Sequence, residues 1–220
     1  MSGEVAVMNP SQGPPQHVNE FDMSRLPDEE DGDLPEAETS ILACDYIRWR
    51  LQQQGHLWED CPLLPQPNRV RLTMRALGEE FENRFNTEIG HMVQMMEITP
   101  QTAFPKFMGV CEEQFSDGTV NWGRIVALFA FGGALSAQCV QSNMPQLVGN
   151  VADWVAIFCD SQLADWIHAQ NGWRGLVDFY DEQVARRGEQ GNRWPLTWNV
   201  AVGIGAVAVA GVALGRMLSQ

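Results

Sequence analysis

Apolar positions recur at helical intervals through most of the chain. From Val70 to Phe85 they are Val70, Met74, Leu77, Phe81 and Phe85, spaced by four, three, four and four. That spacing sets all five on one helical face. Phe107, Val110, Cys111 and Phe115 give an apolar side to a helix over about 103–115. Thr102 is its candidate cap, and Pro105 is tolerated in its first turn. Nearer the start, Leu42, Tyr46, Ile47 and Trp49 form a stripe among the charges Asp45, Arg48 and Arg50. Thr39-Ser40 is placed to cap that helix near Ile41, and Gly55 to end it. Pro62, Pro65 and Pro67 make 59–67 a linker, while Ile98-Thr99-Pro100 and Ser116-Asp117-Gly118 are breaks.

A different pattern follows. No charged residue lies between Arg124 and Asp153, and Trp122 to Leu135 is apolar on almost every face, with Gly132-Gly133 inside it. Such a helix is a buried core helix or a membrane span. Ser136, Gln138, Gln141, Ser142, Asn143 and Gln146 argue against a constitutive span. The pattern predicts a central buried hairpin: a helix over 121–140, a turn at Asn143–Gln146 and a helix over 147–163. Trp166 to Tyr180 then holds two short helices broken near Asn171-Gly172.

A second charge-free stretch, Leu196 to Gly215, matches the roughly 20 residues that cross a bilayer. Trp194 and Trp198 suit the interface, and Arg186, Arg187 and Arg193 before the span favour a cytosolic main domain. The segment is weakly apolar because of its glycines and alanines. Its other readings are a last core helix or a helix lying in the protein's own groove.

Composition narrows the partners. The net charge of −14 excludes nucleic acid as a plausible ligand. Asp28 to Glu38 carries much of that excess, so residues 1–38 are expected to be a disordered acidic segment. Five cysteines without a C-x-x-C pair suit a reduced setting in which they serve as small apolar residues. There is no G-x-x-x-x-G-K loop, no nucleophile elbow and no clustered metal ligands. An enzyme is not expected, nor is a cofactor.

Three stretches resemble a known family. Val120 to Leu135, reading VNWGRIVALFAFGGAL, is similar almost residue for residue to the first homology motif of the Bcl-two (B-cell lymphoma two) family. Trp166 to Trp173 resembles the second, with one glycine before Trp173 where many relatives carry two. Val70 to Phe81 resembles the third, with Met74 in place of leucine and Glu79 in place of aspartate. Ile41 to Leu57 resembles the fourth more loosely.

The resemblance implies an all-α, Bcl-two-like helical bundle of eight or nine helices, with a central buried hairpin and a C-terminal transmembrane helix. The domain is expected over 39–182, a linker over 183–195 and the anchor over 196–216. It also implies a groove that takes an amphipathic partner helix. Phe81, Arg84, Phe85, Ile89, Met92, Val110, Glu113, Phe131 and Tyr180 would line it. Arg124 would pair with the partner's acid, since its planar fork matches a carboxylate. Asn121 would cap the helix that carries Arg124, and Gly123 would leave room for the partner's backbone. The expected partners are pro-apoptotic relatives, both Bax/Bak-like and motif-only, presenting their third-motif helices. The leading function is pro-survival sequestration of those relatives at the mitochondrial outer membrane. The endoplasmic reticulum is a second location, and a cytosolic fraction is expected. The alternative is a pore-forming pro-apoptotic member of the same fold.

Overall fold

The computed structural model describes residues 35–190. These form seven α-helices: α1 (Pro35–Gln53), α2 (Arg69–Met95), α3 (Ala103–Gln114), α4 (Trp122–Gln141), α5 (Leu147–Phe158), α6 (Ala164–Ala169) and α7 (Arg174–Gln190). A π-helical turn, Cys159–Leu163, joins α5 to α6. No strand occurs among the described residues. The expected anchor at 196–216 lies outside them, as does most of the acidic segment.

The axis of the bundle is α4, which packs on α1, α2 and α5. Ile125, Val126, Leu128, Phe129 and Leu135 on α4 are almost fully buried, and burying each such side chain contributes about 1.5–3 kcal/mol. Among the described residues α4 alone is long and apolar enough to cross a membrane, yet most of it is covered by the bundle. The hairpin turn is made by Asn143, whose φ of 57° is left-handed, a conformation that asparagine tolerates. Gly132 lets α5 approach closely: a β-carbon there would lie 2.8 Å from Val155 Cγ2.

Several boundaries depart from expectation. The first helix begins at Pro35, inside the acidic segment, rather than near Ile41. Proline suits a first helical position, and Glu38 suits the positive end of the helix dipole. Thr39 therefore lies within α1 and does not cap it; instead its Oγ1 accepts a hydrogen bond from Trp173 Nε1 at 3.0 Å. Among the charges beside the α1 stripe is Asp45. It is fully buried and receives a two-pronged bond from Arg75 of α2, at 2.9 and 2.7 Å.

Thr102 stands before α3 without bonding its free amides; its Oγ1 accepts from Thr99 N at 3.0 Å instead. The second helix runs ten residues beyond Phe85, to Met95, because Ile89, Met92 and Val93 continue its buried face. The linker expected from 183 begins as helix, since α7 continues to Gln190. Gln183 is buried, and Arg186 pairs with Glu182 one turn earlier.

The tryptophans of the first and second motifs pack on one another. Trp122 lies 5.0 Å from Trp166 and 5.9 Å from Trp173, ring centre to ring centre. Four cysteines are buried and Cys61 is half-buried, all as free thiols. Burial pushes the Cys44 and Cys139 thiols up to about 11.

Candidate functional site

The site is built around the first turn of α4. Asn121 has extended backbone (φ −156°, ψ 163°) and its Oδ1 accepts from Arg124 N at 2.9 Å, so it caps the helix as its sequence position suggests. Gly123 is buried in that same turn. Arg124 projects from it, with a side chain only 15% exposed.

The guanidinium of Arg124 is held by the α3–α4 loop. Nη1 donates to Gln114 O at 3.0 Å, to Thr119 O at 2.9 Å and to Asp117 Oδ1 at 2.5 Å. Nη2 donates to Asp117 Oδ2 at 2.7 Å. Gln114 Nε2 in turn donates to Arg124 O at 2.8 Å, tying the end of α3 to the start of α4. Asp117 also accepts from Thr119 N at 2.8 Å. The bonds from Arg124 and Thr119 hold its carboxyl well below the usual carboxylate range. Asp117, Gln114 and Thr119 were not legible as site residues. The only signal was the Asp-Gly pair, which marks a turn.

The apolar candidates come mainly from α2. Phe81 is buried and Phe85 half-buried, their ring centres 4.9 Å apart. Arg84 is exposed, with its guanidinium carbon 5.5 Å from the centre of the Phe85 ring, within the range of a cation–π contact. Met92 is buried on the same helix. From α3 come Val110, buried, and Glu113, half-buried. Phe131 is buried on α4 and stacked on Phe107 at 5.6 Å, and Tyr180 is half-buried on α7.

Ile89 lines a cleft between α1, α2 and α4, apart from the other candidates, whose walls include Arg50, Gln54, Glu82, Asn86 and Gln138. At its base Glu82 pairs with Arg50 and accepts from Tyr46 Oη at 2.9 Å. Burial outweighs these contacts and pushes the Glu82 carboxyl up to about 7. Among the described residues no group of three His, Cys, Asp or Glu is placed to hold a metal ion.

The profile of the Bcl-2 family, described as apoptosis regulator proteins, matches residues 74–173. Apoptosis regulator R1 of Xenopus laevis is 35% identical over 181 residues, 77% of this chain and 75% of that protein. This chain belongs to the Bcl-2 family. Human Bcl-2-like protein 1 is 37% identical over 155 residues, covering 69% of this chain and 63% of its own length. A solved Bcl-2 relative, trBcl-2L2 of Trichoplax adhaerens bound to trBak BH3, superposes with a TM-score of 0.62 at 32% identity. The match covers 67% of this chain and 99% of that one. The Bcl-2 fold here therefore rests on both sequence and three-dimensional likeness.

Proposed function

We propose that this Bcl-2 family member is a pro-survival regulator, which captures the third-motif helix of pro-apoptotic relatives in an apolar groove. The observation that carries the reading is the placement of Arg124. It stands nearly covered at the capped start of α4, with its guanidinium fixed by neighbouring groups. A partner helix supplies apolar anchors at helical spacing and one carboxylate. Phe81, Phe85, Met92, Val110 and Phe131 would receive the anchors, Arg124 the carboxylate, and the chain would act by binding without catalysis. The Trichoplax relative supports this reading, since it was solved with the BH3 segment of a Bak protein.

In this account residues 196–216 anchor the protein in the mitochondrial outer membrane, with the α-helical domain in the cytosol. The pore-forming reading draws on α4, which has the length and apolarity of a span. A release assay separates the two. Added to mitochondria challenged with a Bak-type activator, the full chain is expected to hold back cytochrome c. Release by the chain alone would establish the pore-forming reading instead.

A further inference from the structure

An arginine offers five N–H donors: two on each Nη and one on Nε. Here the two on Nη1 are shared among three acceptors of the chain, Gln114 O, Thr119 O and Asp117 Oδ1. Nη2 gives one bond, to Asp117 Oδ2. Among the described residues nothing else accepts from this guanidinium, so Nε–H and the second Nη2–H remain open. Those two donors lie along one edge of the planar group and match the two oxygens of a carboxylate.

Resting on the groove reading above, we propose that Asp117 is a positioning residue, which grips the end-on face of Arg124 and so presents its side-on edge to the partner's carboxylate. Asp117 then stays in place when the partner binds. A free arginine side chain carries about 2 kcal/mol of rotamer entropy. Holding it before the encounter removes that cost from binding. The grip itself is stable because Asp117 stays ionised under the pull of Arg124. A rival reading of the same contact makes Asp117 a competitor that the partner's acid must displace. The two predict effects of opposite sign.

The test measures binding of two peptides, a third-motif helix and the same helix with its acid changed to alanine. The proteins are the parent chain, Asp117→Ala and Asp117→Asn. Gln114 O and Thr119 O accept from Arg124 in the parent without help from the Asp117 carboxylate, so both variants are expected to fold; unchanged circular dichroism and melting check this. Asn keeps the turn bond from Thr119 and one bond from Arg124. Asp117→Ala is expected to weaken the acid-bearing peptide at least about fivefold, with Asp117→Asn within about twofold of the parent. The peptide without the acid should bind all three proteins alike. Tighter or unchanged binding of the acid-bearing peptide by Asp117→Ala would overturn the positioning role. Failure of the parent to bind either peptide would strike the groove reading itself, and this inference with it.

Discussion

The ring of Tyr46 on α1 occupies the place where a β-carbon on Gly78 of α2 would lie, its hydroxyl and edge carbons closest of all. Tyr46 is fully buried, donates to Glu82 and packs edge-on against Phe129 at 5.8 Å. Gly78→Ala therefore forces a side chain that has no room to yield. Overpacking of this kind costs about 1–3 kcal/mol. A fall in melting temperature is expected, with the m-value in urea unchanged. An alanine variant as stable as the parent would show that α1 and α2 are not locked here.

Glu82 gives a pH dependence of defined sign. Its carboxyl titrates near 4.5 in an unfolded chain and at about 7 in the folded protein. Between these values the folded state keeps a proton that the unfolded state releases. Stability then falls as pH rises from about 5 to 7 and levels off above, by at most roughly 3 kcal/mol. Glu82→Gln is expected to flatten that segment of the curve. The groups facing Glu82 are Tyr46 and Arg50 of α1 and Glu79 of its own helix. Urea midpoints measured at intervals across the window decide it; parallel curves for parent and variant would contradict the assignment.

Asp45 is paired with two arginines of unequal weight. Arg75 makes two short bonds to it, whereas Arg48 approaches only to 3.9 Å and is 31% exposed. Arg75→Met strands a buried carboxylate, at a cost on the order of 3 kcal/mol. Arg48→Met should cost no more than about 1 kcal/mol. Equal losses in chemical denaturation would mean that the carboxylate is shared evenly.

The anchor assignment has a direct test. A chain ending at Trp194 is expected to move from the carbonate-resistant membrane pellet to the soluble fraction. Persistence in the pellet would place the membrane contact elsewhere.

Much of this architecture was legible because period and charge agreed. The five-residue stripe of α2, the charge-free run of α4 and the left-handed Asn143 each carry a local signal for the element they form. The start of α1 was not, because an acidic run reads as solvated until its proline is seen at a first helical position. The pairing of Asp45 was not legible either: its partner Arg75 lies thirty residues away, and only folding brings the pair together. At the candidate site, the cap that Asn121 gives the helix of Arg124 announced itself through the motif. Asp117 did not, since its role lies in a loop contact rather than in any spacing.

The central claim is that Arg124 meets the acid of a partner helix, and a double-mutant cycle tests it most directly. Affinities are measured for a third-motif peptide and its acid-to-alanine form, against the parent and Arg124→Ala, with folding checked by circular dichroism. Arg124→Ala is expected to weaken the parent peptide about tenfold or more, a loss of at least about 1.4 kcal/mol. Removing the peptide's acid should cost a similar amount in the parent, and almost nothing once Arg124 is gone, because the two changes remove one interaction. Gly123→Glu, which adds bulk and a negative charge where the partner's backbone and acid would arrive, should abolish binding of both peptides. Undiminished binding by Arg124→Ala, with the acid's contribution the same in both proteins, would contradict the groove as the working site.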